Sequence, residues 1–395
     1  MVILSADDAI KLKKYAYRGG DTSPIYIYFL SPFAQSLLMI VPEYVAPNLI
    51  TFIGLCFPLF ACMMTIYMNP HLNSDENSWI HLLSALAILF YQTMDNMDGK
   101  QARRTNSSSA LGMIFDHCCD AINAGIFSIP MASALCTGWT LGIFFGLWCG
   151  FTPFYFQTWE EHHIGAMFLP PFNGPTEGLL IASCMCFVSF WKGSSFWQHV
   201  LFNIPGGQDI QASPFSVMFL IAIVGALITC GIQVGRVSTL ILSRKVNAYH
   251  DLLVALSELA PFIVFFSSSV LWCHRSQIAL QQYPILTIAL ISSVFVEIVV
   301  HMMLATVCDR RICPGQRFLA WGMLIPAMNV LLPLTARVDE RWILFPLFSV
   351  STSWTAIFLY RIVTEVADAL DIYVFVLGKK SRLVAQKSAR VDKFI

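Results

Sequence analysis

The sequence predicts an all-α bundle threaded through a membrane, and three observations carry that prediction. Only 12% of the 395 residues are charged while 56% are hydrophobic, against roughly 25% charged in a water-soluble domain. Mean hydropathy is +0.65, so polar side chains are too few to cover a soluble surface. Apolar stretches of about twenty residues, the length that crosses a hydrocarbon core as helix, recur from Pro47 to the region before Leu377. These features exclude a soluble enzyme, a secreted disulfide scaffold and a disordered chain.

At the start, residues 5–17 interleave Ile10, Leu12 and Tyr15 with Lys11, Lys13 and Lys14, the pattern of an amphipathic helix lying on a membrane surface. No long apolar core or small-residue cleavage site marks a signal peptide there. A second interfacial helix is expected over 31–41, ended by Pro42. About ten spans follow, near 47–68, 79–96, 114–136, 140–158, 176–191, 214–242, 252–272, 284–306, 318–336 and 342–371. Pro58, Pro130, Pro153, Pro261 and Pro326 fall inside them, which membrane helices tolerate. No internal repeat or low-complexity linker divides the chain. The expected organisation is a cytosolic N-terminal region with interfacial helices (1–45), a transmembrane bundle (46–375) and a basic cytosolic tail (376–395).

Twelve cysteines, among them Cys56, Cys62, Cys136, Cys149 and Cys230 in apolar runs, show no CxxC spacing. They read as small hydrophobes rather than zinc ligands. Lys+Arg and Asp+Glu balance at 24 each, so no polyanion such as a nucleic acid is implied as a partner. The cations are nevertheless unevenly placed. With ten spans and a cytosolic N-terminus, Lys11, Lys13, Lys14, Arg18, Lys100, Arg103, Arg104, Arg236, Arg244, Lys245, Arg310, Arg311, Arg317 and the tail fall on one side. Only Lys192, Arg275, Arg337 and Arg341 fall on the other. The positive-inside rule then makes both termini, and the stretch after the second span, cytosolic.

That stretch carries the chemistry. Asp95 and Asp98 are spaced i,i+3, and Asp116 and Asp120 i,i+4, so each pair shares a helical face. Two antiparallel neighbouring helices can bring the pairs into one cage of oxygen ligands, which hard divalent cations such as Mg²⁺ prefer. Isolated aspartates at helix ends are ordinarily solvated caps. Four of them around Gly99 and Arg103, at the ends of two apolar helices, point instead to metal ligands. Arg103 is either a topology charge or a bidentate phosphate fork, and the fork suits its place between the pairs. Gly99 and Gly112 would let a helix or a phosphate approach closely.

The pattern Asp95-x-x-Asp98-Gly99-x-x-Ala102-Arg103-(x₈)-Gly112-(x₃)-Asp116-(x₃)-Asp120 resembles the signature of the CDP-alcohol phosphotransferase family at every fixed position. Tyr91-Gln92-Thr93, Arg104 to Ser107, Ala46 to Thr51 and Asn173 to Gly178 resemble the eukaryotic choline/ethanolaminephosphotransferase branch. Thr158-Trp159-Glu160 looks most like plant or algal aminoalcoholphosphotransferases. The resemblance covers essentially the whole chain. It departs at Met113 and Cys118, where relatives often have Glu and Gly, and at Asn96, where a small residue is common; headgroup preference is what these departures put in doubt.

The resemblance implies transfer of phosphocholine or phosphoethanolamine from a CDP-alcohol to diacylglycerol, releasing CMP. It implies two Mg²⁺ ions, which Mn²⁺ can replace, with Asp95 and Asp116 bridging both, Asp98 completing the first site and Asp120 the second. Arg103 would hold the CDP phosphates, and Asn48 a polar part of the nucleotide. His117, beside Asp116, is suited to accept the hydroxyl proton near neutral pH, with Glu177 as its acidic partner. A homodimer in endoplasmic reticulum or Golgi membranes is also implied. His162 and His163, after Glu160 and Glu161, read as a solvated cytosolic loop rather than a second metal site. Two competing readings stand beside this one. A sibling transferase would use inositol or glycerol phosphate as acceptor. A transporter would place ionisable residues along a pathway through the bilayer, whereas here they cluster at one helix end.

Overall fold

The computed structural model describes residues 3–204, 210–244 and 247–380; Lys245, and the part of the expected basic tail from 381 onward, lie outside them. The first helix, α1 (Ala6–Lys14), opens on a capping box in which Ser5 Oγ accepts from the Asp8 amide at 3.3 Å and Asp8 Oδ2 accepts from the Ser5 amide at 2.7 Å. Its buried face, Asp8 and Leu12 one turn apart, meets protein: Asp8 pairs with Arg310. Just before the helix, Glu365 Oε2 accepts from the Ile3 and Leu4 amides at 2.9 and 3.0 Å. The segment after α1 forms a strap. Its strand β1 (Gly19–Asp21) pairs in parallel with β2 (Met167–Leu169), Gly19 opposite Met167. A π-helical turn, Tyr26–Leu30, then runs into α2 (Ser31–Leu38), and Tyr28, Phe29 and Phe33 stand exposed along it.

Pro47 occupies the first turn of α3 (Pro47–Met68), where a missing N–H costs nothing. This helix packs against both α4 (Trp79–Arg104) and α5 (Ala110–Ile126). A Cβ on Gly54 would sit 2.9 Å from Met94 Cβ, so only glycine allows α3 and α4 to approach this closely. Then come α6 (Ser128–Ala134) and α7 (Phe144–Ile164), the latter ended by Gly165 at φ 76°. A π-helical turn, Gly174–Gly178, leads into α8 (Leu179–Lys192). The antiparallel pair β3 (Phe202–Ile204) and β4 (Ile210–Ala212) precedes α9 (Pro214–Leu242). The second half comprises α10 (Ala248–Ser257), α11 (Ala260–Arg275), α12 (Pro284–Val307), α13 (Phe318–Gly322), α14 (Leu324–Asn329) and α15 (Arg341–Ala369). Its core runs through α5, α7, α11, α12 and α15, with Phe151 stacked on Phe295 at 3.7 Å.

Among the described residues five helical stretches are long and apolar enough to cross a membrane: Pro47–Met68, Pro214–Leu242, Ala248–Arg275, Pro284–Val307 and Arg341–Ala369. A polytopic membrane protein fits this, although the criterion yields five rather than the ten spans expected. The remaining expected spans fall on α4, whose last third is polar, on α5 to α8, which are short or polar at one end, or on 318–336, which breaks into α13 and α14.

Candidate functional site

The α4 and α5 helices deliver the aspartates as their spacing requires. Oxygen atoms of Asp95, Asp98 and Asp116 lie within 4.8 Å of one another, and so do ligand atoms of Asp116, His117 and Asp120. Asp116 belongs to both groups and joins them. Its Oδ1 is buried with no hydrogen-bond partner among the described residues, as is His117 Nδ1. A buried carboxylate oxygen without a donor is costly, and an all-oxygen set with a free lone pair is the donor set of a hard divalent cation. The residues present therefore fit a metal. Neither metal-competent group among the described residues includes a cysteine.

Neighbouring side chains hold the cluster in place. Thr51, one turn inside α3, donates to Asp98 Oδ2 at 2.5 Å, and the Tyr91 hydroxyl donates to Asp120. Gln92 binds the carbonyls of Pro175 and Thr176 at 2.7 and 2.9 Å, tying the turn that bears Glu177 to α4. The Glu177 carboxylate accepts from the Asn173 amide at 2.8 Å and from the Ser23 hydroxyl. It thereby joins the strap to this turn, and no hydrogen bond links it to His117 among the described residues.

Asn48 is buried at the start of α3, its Nδ2 donating to the Val374 carbonyl at 3.0 Å. A Cβ at Gly112 would lie 3.8 Å from Asn48 Oδ1, and one at Gly99 3.7 Å from Arg103 Nη1. Both are ordinary contact distances, so helix packing does not demand these two glycines. Arg103 and Arg104 divide their labour. Arg104 binds the carbonyls of Leu38 and Val41 at 2.7 and 2.9 Å and pairs with Glu43, which clamps α2. Arg103 is exposed, with no hydrogen bond or ion pair among the described residues. It lines a cavity of about 680 Å³ together with Lys100, Tyr26 and Gln35.

The acidic end of α7 is not the solvated loop expected. Glu160 and Glu161 are both 3% exposed. Glu160 pairs with Arg236 at 3.2 Å, and His163 reaches Glu258 at 2.7 Å. Sequence reasoning also missed Tyr17, in the strap. Partial burial and the fields of Glu161, Asp116, Asp95 and Asp120 raise its phenol pKa, while 48% of the residue stays exposed. Nothing in its sequence neighbourhood marks it, because the strand pairing that places it spans the first half of the chain.

Residues 44–205, which contain Asn48, the four aspartates, Arg103, His117 and Glu177, match the CDP-alcohol phosphatidyltransferase family. The chain is 32% identical to choline/ethanolaminephosphotransferase 2 of Arabidopsis thaliana, covering 96% of this chain and 100% of that protein. It is 30% identical to choline/ethanolaminephosphotransferase 1 of Saccharomyces cerevisiae, covering 94% of this chain and 97% of that protein. With its aspartates of α4 and α5 gathered around Asp116 and its similarity running nearly end to end, the chain belongs to the CDP-alcohol phosphatidyltransferase family.

Proposed function

We propose that this chain transfers phosphocholine or phosphoethanolamine from a CDP-alcohol to diacylglycerol, releasing CMP. The observation that carries the reading is the meeting of Asp95, Asp98 and Asp116 in one group and of Asp116, His117 and Asp120 in a second that shares Asp116. These four carboxylates would hold two divalent cations, Mg²⁺ with Mn²⁺ as substitute. Such ions supply charge neutralisation at the attacked phosphate and the leaving CMP. Arg103, which has no hydrogen bond or ion pair among the described residues, grips the pyrophosphate, and Gly99 leaves room beside it. Asn48 orients the nucleotide. His117 takes the proton from the diacylglycerol hydroxyl as it attacks the phosphorus, and Glu177 supports it by fixing the turn between the strap and α8. An apolar groove of about 330 Å³ beside Glu177, lined by Ile25, Phe172, Leu180, Ile181 and Cys184, suits acyl chains arriving sideways from the bilayer.

Ten spans, with both termini and the active site cytosolic, a bundle over 46–375, a homodimeric state and residence in endoplasmic reticulum or Golgi membranes complete the proposal. The charge asymmetry and the cytosolic supply of CDP-alcohols support that orientation. The deciding experiment is a paired assay of purified protein with CDP-choline or CDP-ethanolamine, diacylglycerol and Mg²⁺. Formation of the matching phospholipid and CMP is expected. Absence of transfer from both donors would refute the reading.

A further inference from the structure

The chain turns back on itself after α15. Asp371, at φ 59°, reverses its direction, and Gly378, at φ 125°, returns it in a backbone conformation that favours glycine. The base of the resulting loop is closed. Ile372 bridges to Lys379, the Lys380 amide donates to the Asp371 carbonyl at 3.0 Å, and the Lys380 ammonium meets Asp368 at 2.5 Å. Residues 372–379 therefore have a defined shape, although they lie far beyond the stretch 44–205 that matches the family.

This loop rests on α3 and α5 beside the aspartates. The Phe375 ring packs against Phe52 at 5.7 Å and edge-on against Phe115 at 5.5 Å. Phe52 follows Thr51, which donates to Asp98, and Phe115 precedes Asp116. One residue earlier in the loop, the Val374 carbonyl accepts from Asn48 Nδ2 at 3.0 Å. A carbonyl carries no proton, so it can bond only the NH₂ end of the amide, and this bond decides which way the Asn48 side chain is flipped. The Oδ1 end lies toward Gly112, 3.8 Å from where a Cβ would stand there. Gly112, Asp116 and Asp120 follow at four-residue spacing and share one face of α5. Asn48 is buried, and its Oδ1 accepts no hydrogen bond among the described residues. It stands on the aspartate face of α5 as an acceptor open to a donor group.

We propose that the loop 372–379 is a positioning element of the donor site. Through the Val374 carbonyl and the Phe375 ring it holds Asn48 with Oδ1 presented to an N–H or O–H group of the cytidine nucleotide. This rests on the transferase reading above and deepens it. An unheld Asn48 would present either end of its amide, and the loop removes that freedom before the nucleotide arrives. Phe375 touches no reacting atom and acts through Asn48.

The test is equilibrium binding of CMP and CDP-choline to the purified full-length protein with Mg²⁺, together with KM for each substrate. Phe375→Ala removes the ring that seats the loop. It is expected to weaken both nucleotides about five-fold, the worth of one neutral hydrogen bond, and to raise KM for CDP-choline while KM for diacylglycerol stays unchanged. Phe375→Tyr, which keeps the ring, should restore wild-type values. Asn48→Asp replaces the donating NH₂ with an oxygen that repels the Val374 carbonyl. It should weaken CMP by itself, and adding Phe375→Ala to it should cost nothing further. If Phe375→Ala does not fold, Phe375→Leu takes its place in the same cycle. Additive losses in that cycle, or a Phe375 variant that binds CMP as tightly as wild type, overturn the positioning role while leaving the transferase reading intact. A wild-type protein that binds CMP but transfers no headgroup to diacylglycerol overturns that reading instead, and the CMP cycle still decides the role of the loop.

Discussion

Asp116 bears the sharpest electrostatic demand in the molecule, since it belongs to both metal-competent groups and one of its oxygens is buried without a donor. Chelation with EDTA is therefore expected to abolish transfer, with added Mg²⁺ or Mn²⁺ restoring it; full activity in metal-free protein would contradict the assignment. Asp116→Asn should be among the most damaging substitutions, because it weakens both groups together. His117→Ala should lower turnover by about 10²–10⁴-fold, the usual loss for a general base, while CDP-choline still binds with near-normal affinity. Near-normal turnover would move the base to Asp120. Asp95, Asp98, Asp116 and Asp120 were legible because helical spacing alone puts each pair on one face. Thr51 and Tyr91, which brace Asp98 and Asp120, were not, because each is an ordinary residue of an apolar helix until tertiary packing sets it beside an acid. The Glu160–His163 run was misread for the same reason: it looks solvated until Arg236, Glu258 and Thr306 pack against it.

Helices read well where one apolar run equals one helix, as in α3, α9 and α12, and poorly where the run bends. The 318–336 stretch is apolar throughout but breaks into two short helices near Met323, and the π-helical turns at Tyr26–Leu30 and Gly174–Gly178 have no signature in hydropathy. The N-terminal helix was legible as amphipathic, yet its buried face meets the loop after α12 through Asp8 and Arg310. The Arg310 guanidinium, helped by Ser5, holds the Asp8 carboxyl well below the usual carboxylate range. A depressed folded-state value contributes stability above the unfolded value of about 3.9 and loses it as pH falls further. Docking of α1 should accordingly loosen below about pH 4, read as faster amide exchange over 6–14, and Asp8→Asn should show the loosened state already at pH 7. Exchange independent of both pH and the substitution would show that Leu12 and the Glu365 contacts suffice. The loop between α4 and α5 tests orientation. Ser108→Cys, in a background where the exposed Cys56, Cys184 and Cys313 are serine, should react with an impermeant thiol reagent in sealed microsomes without permeabilisation. Labelling only after permeabilisation would reverse the topology.

For the whole molecule, the catalytic helices depend on the second half for their back wall. The α12 helix packs against α5, α7 and α15, and Phe154 of α7 lies between the His117 ring and Phe295, at 6.3 and 6.1 Å. Into this otherwise apolar wall α12 places Glu297, fully buried, with Arg317 Nη1 3.8 Å from Oε1. His301 Nδ1 lies 3.0 Å from the same oxygen but bonds the Glu297 carbonyl instead, at 2.9 Å. Neither Glu297 oxygen receives a well-formed hydrogen bond, and Arg317 Nε and Nη1 lack acceptors among the described residues. Such a pair is held by mutual charge rather than by good geometry, so its two halves should be strongly non-additive. Arg317→Met alone leaves the carboxylate uncompensated and is expected to cost about 3–5 kcal/mol, lowering the thermal unfolding midpoint in detergent. Adding Glu297→Leu removes the stranded charge and should recover most of the loss, since an apolar replacement of a buried pair is often neutral or stabilising. If the double variant is no more stable than Arg317→Met, the pair instead fixes the register of α12 against α13, and its energetic worth lies in that specificity rather than in charge compensation.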